Sequence, residues 1–181
     1  LVDSSVELGA NINIGPYSII EPNVIVGDNT IIGNHVTVCE NTSIGSDCRI
    51  FHSSSIGEIP QDLKFGGEKT KTIIGNRTTI REFVSINRGT NALGKTEIGQ
   101  DCLLMAYTHV AHDCILGNNV IMANMATLGG HVEIGDWVSL GGGVLVHQFC
   151  RIGVHAFIGG GFRAVQDVPP FILAADEPLN F

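Results

Sequence analysis

The chain has 181 residues, of which 44% are hydrophobic and only 15% are charged, and its formal net charge is −8. This length fits one domain, and the acidic balance argues against nucleic acid as a partner. No stretch approaches the roughly 18 consecutive apolar residues of a membrane-spanning helix, so no integral membrane association is expected.

An aliphatic residue recurs at every sixth position along almost the whole chain. Counting in steps of six from residue 2 to residue 158, 24 of 27 positions are aliphatic, and only Asp62, Glu68 and Ala92 are not. A period of six belongs to neither a helix nor an ordinary strand, and it is typical of hexapeptide solenoids. The sequence therefore predicts an all-β fold, a parallel β-helix of hexapeptide repeats.

Three hexads would make one triangular coil of 18 residues, so residues 18 apart should stack. About ten such coils are expected over residues 1–163, and one inward column should run through Ile56, Ile74, Ala92 and Val110. The three breaks in the period predict excursion loops near residues 57–73 and 87–97, where binding groups are often found.

The six-residue pattern fails after residue 163. Val168-Pro169-Pro170 is unsuited to a central strand, because proline cannot donate to the sheet ladder. Residues 164–181 are therefore expected to be a C-terminal extension outside the β-helix domain.

Four of the five cysteines share one position of the repeat, four residues after the aliphatic one. These are Cys48, Cys102, Cys114 and Cys150. A shared repeat position is typical of small inward-facing residues and not of a disulfide or metal set. Reduced, buried thiols indicate a cytoplasmic protein.

Seven of the ten basic residues lie between Lys64 and Lys95. This segment is either a solvated loop face or a surface for an anionic group such as a phosphate or an acidic protein.

Four of the seven histidines fall at one corner of the expected prism, in three successive coils. They are His109, His112, His131 and His147. Clustered imidazoles suggest general-base chemistry near neutral pH or a metal site, although surface histidines without a role would give the same pattern. Asp113 follows His112 directly, and Gly130 precedes His131 with a backbone N–H that could approach a ligand.

Several motifs together resemble one family over essentially the whole chain, the bacterial acyl-carrier-protein–UDP-N-acetylglucosamine O-acyltransferases, which open lipid A biosynthesis. The motifs are Ser55-Ile56-Gly57-Glu58 with Gln61-Asp62-Leu63-Lys64, Ile80-Arg81-Glu82 with Asn87-Arg88-Gly89-Thr90, His109-x-x-His112-Asp113-Cys114, Gly130-His131, Val146-His147-Gln148-Phe149 and Gln166-Asp167-Val168-Pro169-Pro170.

The resemblance implies transfer of a 3-hydroxyacyl chain from acyl carrier protein to the 3-hydroxyl of UDP-N-acetylglucosamine. His112 would be the general base, Asp113 would help to orient the site, and the Gly130 N–H would stabilise the oxyanion. Gly160 would lie where the length of the acyl chain is limited. The residues that would bind the sugar nucleotide are Gln61, Asp62, Lys64, His109, His131, His147 and Gln148.

The resemblance further implies a left-handed β-helix that forms a homotrimer with active sites between subunits. No cofactor and no metal are expected. Members of the family carry a C-terminal helical domain, and this chain stops at Phe181, where that domain would begin. The basic segment from Lys64 to Lys95 would then supply part of the docking site for the acidic carrier protein.

Two other readings of the same residues remain open. One is a zinc hydratase like the γ-class carbonic anhydrases, although their histidine pair with four intervening residues does not occur here. The other is an inactive, truncated scaffold that binds without turnover.

Overall fold

The computed structural model describes residues 1–175, and every regular element in that range is a β-strand. Most strands have two residues, and as far as residue 164 the chain visits three parallel sheets in rotation. The sheets are the faces of a triangular prism, and the fold is a left-handed parallel β-helix of hexapeptide repeats, as expected. Within the described range no helix could cross a membrane.

We number the sheets in the order in which the chain first enters them. Sheet 1 consists of β1 (Glu7–Leu8), β4 (Ile25–Val26), β7 (Thr42–Ile44), β10 (Lys71–Ile74), β13 (Lys95–Ile98), β16 (Ile115–Leu116), β19 (Glu133–Ile134) and β22 (Arg151–Ile152). Sheet 2 consists of β2 (Asn13–Ile14), β5 (Ile31–Ile32), β8 (Arg49–Ile50), β11 (Thr79–Ile80), β14 (Leu103–Leu104), β17 (Ile121–Met122), β20 (Ser139–Leu140), β23 (Phe157–Ile158) and β25 (Leu173–Ala174). Sheet 3 consists of β3 (Ile19–Ile20), β6 (Thr37–Val38), β9 (Ser55–Glu58), β12 (Ser85–Asn87), β15 (His109–Val110), β18 (Thr127–Leu128), β21 (Leu145–Val146) and β24 (Arg163–Ala164).

The β-helix continues beyond the boundary predicted at residue 163. β24 pairs with β21, Val168 bridges to Ile152, and β25 pairs with β23. Pro169 and Pro170 lie at the corner after Val168, outside the strands, so the coil does not require an N–H from them. With this bridge and that of Val2 to Ile20, each face has nine levels. The number falls below the expected ten because the loops use residues outside the coils.

Two loops shift the stacking of the coils. The first loop (residues 59–70) separates β9 from β10, and the second loop (residues 88–94) separates β12 from β13. Ile44 therefore pairs with Ile74 across 30 residues, and Ile74 pairs with Ile98 across 24. The added 12 and 6 residues sum to 18, so the predicted phase returns after the second loop.

The inward column predicted through Ile74 and Ala92 is wrong at those two positions. Ile74 lies in sheet 1, Ala92 lies in the second loop, and Ile86 stands between Ile56 and Val110. Ile56, Ile86 and Val110 are all fully buried. Burying one such side chain contributes roughly 1.5–3 kcal/mol, so stacking of neighbours along the axis stabilises the prism.

All five cysteines are free and buried, in agreement with their predicted role as small inward-facing residues. Burial raises the pKa of the Cys114 thiol to about 12 and that of Cys102 to about 11. Both side chains are therefore neutral thiols at physiological pH and act as part of the core.

Each corner of the prism is a turn in which the third residue after the inward aliphatic adopts a positive φ. We name the corners by their residues: the histidine corner between sheets 3 and 1 (Asp113, His131, Phe149), the asparagine corner between sheets 1 and 2 (Asn11, Asn29, Asp47, Arg77, Asp101), and the glycine corner between sheets 2 and 3 (Gly143, Gly161). Both loops leave the prism at the histidine corner, because both follow a strand of sheet 3.

Candidate active site

The histidine corner stacks one residue of each coil on the next. Asp113, His131 and Phe149 have φ values of 59°, 62° and 67°, which aim their side chains outward along one edge. The His131 and Phe149 rings are parallel, with centroids 4.5 Å apart, and the edge of His112 meets His131 at 5.1 Å. The prediction that imidazoles gather at this corner is therefore confirmed for His112 and His131.

His112 and Asp113 form a hydrogen-bonded pair. The distance from His112 Nδ1 to Asp113 Oδ2 is 2.9 Å, and the Asp113 side chain is fully buried while that of His112 is 14% exposed. Because an ionised carboxylate only accepts hydrogen bonds, Nδ1 carries the proton. The other ring nitrogen, Nε2, is left with a free lone pair, which is the state a general base requires.

The second loop supplies further donors to the buried Asp113 carboxylate. Oδ1 accepts from the backbone N–H of Thr90 at 2.9 Å and of Leu93 at 3.3 Å, and Oδ2 accepts from the Thr90 hydroxyl at 2.6 Å. Burial raises the pKa of Asp113, but the hydrogen bonds from Thr90 and His112 outweigh it and leave the pKa below its ordinary value. The carboxylate is thus held ionised.

Gly130 lies directly against the His112 ring. A Cβ at this position would come within 2.6 Å of His112 Cε1 and 2.7 Å of Nε2, so only glycine leaves room for the imidazole. Within residues 1–175, no protein oxygen accepts a hydrogen bond from the Gly130 N–H. A free donor thus lies beside the free lone pair of His112.

The first loop closes over the histidine corner of its own chain. A cavity of about 560 Å³ is lined by Gln61, Asp62, Leu63, Lys64, His112, His131, Gln148 and Phe149. The loop turns at Asp62, whose Oδ1 accepts from the Lys64 N–H at 3.0 Å and whose carbonyl accepts from the Phe65 N–H at 3.0 Å. The Lys64 side chain is exposed, so its charge remains available to an anion.

A buried arginine of the second loop anchors the first loop to the prism. The Arg88 side chain is 5% exposed, donates from Nε to the Gly57 carbonyl at 2.8 Å and pairs with Glu40 at 2.8 Å. Its neighbour Asn87 donates to the Ile59 carbonyl at 3.1 Å. The base of the first loop is therefore fixed where it leaves β9.

His109 and His147 lie beside the cavity without lining it. His109 Nδ1 is 2.7 Å from the Ser85 hydroxyl on the neighbouring strand, and burial lowers the pKa of His109. His147 is exposed and donates from Nδ1 to the Gln148 carbonyl at 3.1 Å.

Gly160 lies at the glycine corner, after β23 of sheet 2, and not at the histidine corner of the same chain. It is exposed, and a Cβ there would meet the Gly142 carbonyl oxygen at 3.2 Å.

Four of the seven residues of the basic segment are engaged in ion pairs. Arg77 pairs with Asp101, Arg81 with Glu82, Arg88 with Glu40 and Lys95 with Glu97. Lys64, Lys69 and Lys71 are exposed and form no ion pair within residues 1–175. The segment is therefore less positive than its composition indicates.

The donor set at the dyad does not fit a zinc site. His112, Asp113 and His131 bring possible ligand atoms within 4.8 Å of one another. However, the Asp113 oxygens already accept from Thr90, Leu93 and His112, and zinc binding would break these hydrogen bonds. The arrangement instead suits a base and its orienting carboxylate.

Comparison with known proteins identifies the family. Residues 5–40 and 95–130 match the family model described as "Bacterial transferase hexapeptide (six repeats)". An acyl-[acyl-carrier-protein]–UDP-N-acetylglucosamine O-acyltransferase of Herminiimonas arsenicoxydans is 51% identical over 176 residues, which are 97% of this chain and 67% of that protein. The enzyme of the same name from Xanthomonas oryzae is 49% identical, over 99% of this chain and 69% of that protein.

The chain belongs to the acyl-[acyl-carrier-protein]–UDP-N-acetylglucosamine O-acyltransferase family. A solved structure of a member from Moraxella catarrhalis superposes with a TM-score of 0.98 at 41% identity, covering 99% of this chain and 70% of that one. Nothing in these comparisons supports a γ-carbonic anhydrase.

The residues that complete the site, Thr90, Ser85 and Phe149, were given no role by sequence reasoning. Ser85 pairs with His109 across 24 residues, because the second loop interrupts the 18-residue register between them. Phe149 could have been found, since it stands 18 residues after His131 at the same position of the repeat. Thr90 belongs to a loop whose path the period does not describe.

Proposed function

We propose that this protein transfers a 3-hydroxyacyl chain from acyl carrier protein to the 3-hydroxyl of UDP-N-acetylglucosamine. The family supports the reaction class, and the names of the relatives supply the two substrates. The observation that carries the proposal is the contact of His112, paired through Nδ1 with Asp113, against the free N–H of Gly130. A base and an oxyanion donor side by side are what acyl transfer to a hydroxyl requires.

The chemical steps follow from this geometry. His112 Nε2 accepts the proton of the sugar hydroxyl as its oxygen attacks the thioester carbonyl. The Gly130 N–H stabilises the negative oxygen of the tetrahedral intermediate, and Asp113 stabilises the imidazolium. When the carbon–sulfur bond breaks, His112 returns the proton to the leaving sulfur, so the carrier protein departs as a thiol.

Binding of the sugar nucleotide is assigned to the cavity between the first loop and the histidine corner. Gln61, Asp62, Gln148 and His131 offer hydrogen-bonding groups to the sugar, and the exposed Lys64 ammonium suits the diphosphate. His109 and His147, which flank the cavity, are proposed to contact the same substrate at its edges.

The active assembly is proposed to be a cytoplasmic homotrimer. If the acyl chain runs from His112 past Gly160, it must reach the glycine corner, and in one chain the two corners are separated by a face of the prism. A second copy that presents its glycine corner to the histidine corner of the first would bring them together. The free, buried cysteines suit a reducing compartment.

The test is an acyl-transfer assay with UDP-N-acetylglucosamine and 3-hydroxyacyl carrier protein. His112→Ala should lower kcat by about 10²–10⁴-fold, the usual contribution of a general base. His35→Ala is the matched control, because His35 adopts the same corner conformation but stacks on Tyr17. Equal activity of His112→Ala and wild type would refute the proposal, and binding without turnover by the wild type would favour the inactive scaffold.

A further inference from the structure

Thr90 grips the Asp113 carboxylate at two points. Its backbone N–H donates to Oδ1 at 2.9 Å and its hydroxyl donates to Oδ2 at 2.6 Å, so one residue holds both oxygens. Two parallel hydrogen bonds to one carboxylate fix the plane of the group as well as its position. The same Oδ2 atom accepts from His112 Nδ1 at 2.9 Å.

The corner turn alone does not determine this orientation. It fixes the backbone of Asp113 at a φ of 59°, but the side chain can still rotate about its own bonds. Asp101 has the same φ and turns its carboxylate to an exposed arginine instead. The direction of the Asp113 carboxylate is therefore set by Thr90.

Thr90 is itself held firmly. The preceding carbonyl, that of Gly89, accepts from the buried Thr70 hydroxyl at 2.6 Å, and the Thr90 hydroxyl accepts from the Ala92 N–H at 3.2 Å. Arg88, two residues earlier, is buried and paired with Glu40. The second loop is thus a rigid support behind the dyad.

We propose that Thr90 is a positioning residue for catalysis, which holds the Asp113 carboxylate so that Oδ2 faces His112 Nδ1 and keeps Nε2 directed at the acceptor hydroxyl. The proposal rests on the proposed acyl transfer. Thr90 does not line the cavity that holds His112, so its effect passes through Asp113 and not through direct contact with the reacting atoms.

The kinetic experiment compares Thr90→Val, Thr90→Ser and Thr30→Val in the acyl-transfer assay. Thr30 is the matched control, because its buried hydroxyl also donates to a carbonyl, that of Gly45, and accepts from an N–H, that of Cys48, far from the site. Thr90→Val should lower kcat about 10- to 100-fold, the loss expected for a hydrogen bond to a charged group, and change KM for the sugar nucleotide by less than about twofold. Thr90→Ser should recover most of kcat, and Thr30→Val should lower only the melting temperature.

A second measurement does not require turnover. In protein labelled with ¹⁵N at histidine, the wild type should show His112 protonated on Nδ1 with a strongly hydrogen-bonded proton. Thr90→Val should show a mixture of tautomers, and Thr30→Val and Thr90→Ser should resemble the wild type. If Thr90→Val retains both the wild-type tautomer and the wild-type kcat, the proposal is overturned. An inactive wild type that nevertheless shows the tautomer change would refute the acyl-transfer function alone.

Discussion

The histidine corner and the asparagine corner are built on the same backbone turn but differ in what surrounds it. Asp113 and Asp101 each stand third after an inward aliphatic residue, with a φ of 59°. Asp101 faces solvent and pairs with the exposed Arg77 at 2.7 Å, whereas the Asp113 side chain is fully buried against His112 and Thr90. The repeat determines where a side chain begins, and the packing around it determines its chemistry.

The loops account for this difference. At the asparagine corner the side chains form a ladder in which Asn11 donates to Asn29 at 3.0 Å and Asn29 donates to Asp47 at 3.2 Å. This ladder is exposed and links each coil to the next. At the histidine corner, two loops leave the prism and fold back over the coils that follow, which buries the carboxylate and creates the cavity. Chemistry arises where the regular scaffold is interrupted.

The largest expected effect comes from adding one methyl group at the histidine corner. Gly130→Ala places a Cβ 2.6 Å from the His112 ring, which must then move away from the acceptor. We expect kcat to fall about 10²–10³-fold, as when an oxyanion donor is lost. Gly142→Ala is the control, since it has the same repeat position and its Cβ would meet only the Asn124 carbonyl at 3.4 Å. Similar kinetics for the two variants would contradict this account of the corner.

The second prediction compares the two aspartates through the pH dependence of stability. The pKa of Asp113 lies below its ordinary value of 3.8, so its stabilisation is fully present above that value and is lost as the pH falls through the lower, folded-state pKa. Asp113→Asn should lower the free energy of unfolding at pH 7 by about 1.5–3 kcal/mol and flatten its decline below pH 4, as measured by urea denaturation.

Asp101→Asn is the counterpart of that variant. Its pKa is also lowered, by the hydrogen bond from Arg77, but this pair is exposed to solvent. Its effect on stability should be much smaller and should disappear in 1 M salt, because salt screens exposed charges. A salt-independent loss as large as that of Asp113→Asn would show that burial does not distinguish the corners.

The fold follows from the sequence almost completely, because a six-residue period of buried aliphatics has one structural solution. The errors arise at the interruptions. Nothing in the period shows that the loops add 12 and 6 residues, so Ile74 and Ala92 were assigned to a column that contains Ile86 instead. The phase after Ile98 was right only because the two additions sum to a full coil.

The candidate site was predictable where it depends on the repeat and not where it depends on the loops. His112, Asp113 and His131 belong to consecutive regular coils, and arithmetic on the sequence brings them together. The grip of Thr90 on Asp113 and the contact of Ser85 with His109 depend on how the second loop folds back. Packing of an irregular segment leaves no periodic signal.

The third prediction asks whether the glycine corner takes part in the reaction. Gly160→Met adds a long side chain at an exposed position where the nearest atom to its Cβ would be the Gly142 carbonyl oxygen, at 3.2 Å. If the acyl chain ends there, the preference should move to shorter donors, by about tenfold in relative kcat/KM, since each excluded methylene is worth roughly 0.8 kcal/mol. Activity with the shortest donor is the internal control. Unchanged selectivity would remove Gly160 from the acyl path.

The smallest expected effect concerns docking of the acidic carrier protein. Arg88 is a poor probe, because its side chain is buried against Glu40 and its reversal would disrupt the first loop. Lys69 and Lys71 are exposed next to that loop and have no ion-pair partner within residues 1–175. Because exposed ion pairs are weak, the double variant Lys69→Glu/Lys71→Glu should raise KM for the carrier substrate only about two- to fivefold and leave kcat unchanged.

Salt dependence separates docking from a change in the loop. The increase in KM should shrink as salt is added, because the interactions of exposed charges are screened beyond about 10 Å at 0.1 M. Arg49→Glu is the control, as Arg49 is exposed on β8 of sheet 2, on a different face of the prism. If Arg49→Glu raises KM equally, the effect reflects net charge alone. If the lysine variant lowers kcat instead, the lysines support the loop that carries Asp62 and Lys64, and the basic segment belongs to the histidine corner and not to a docking surface.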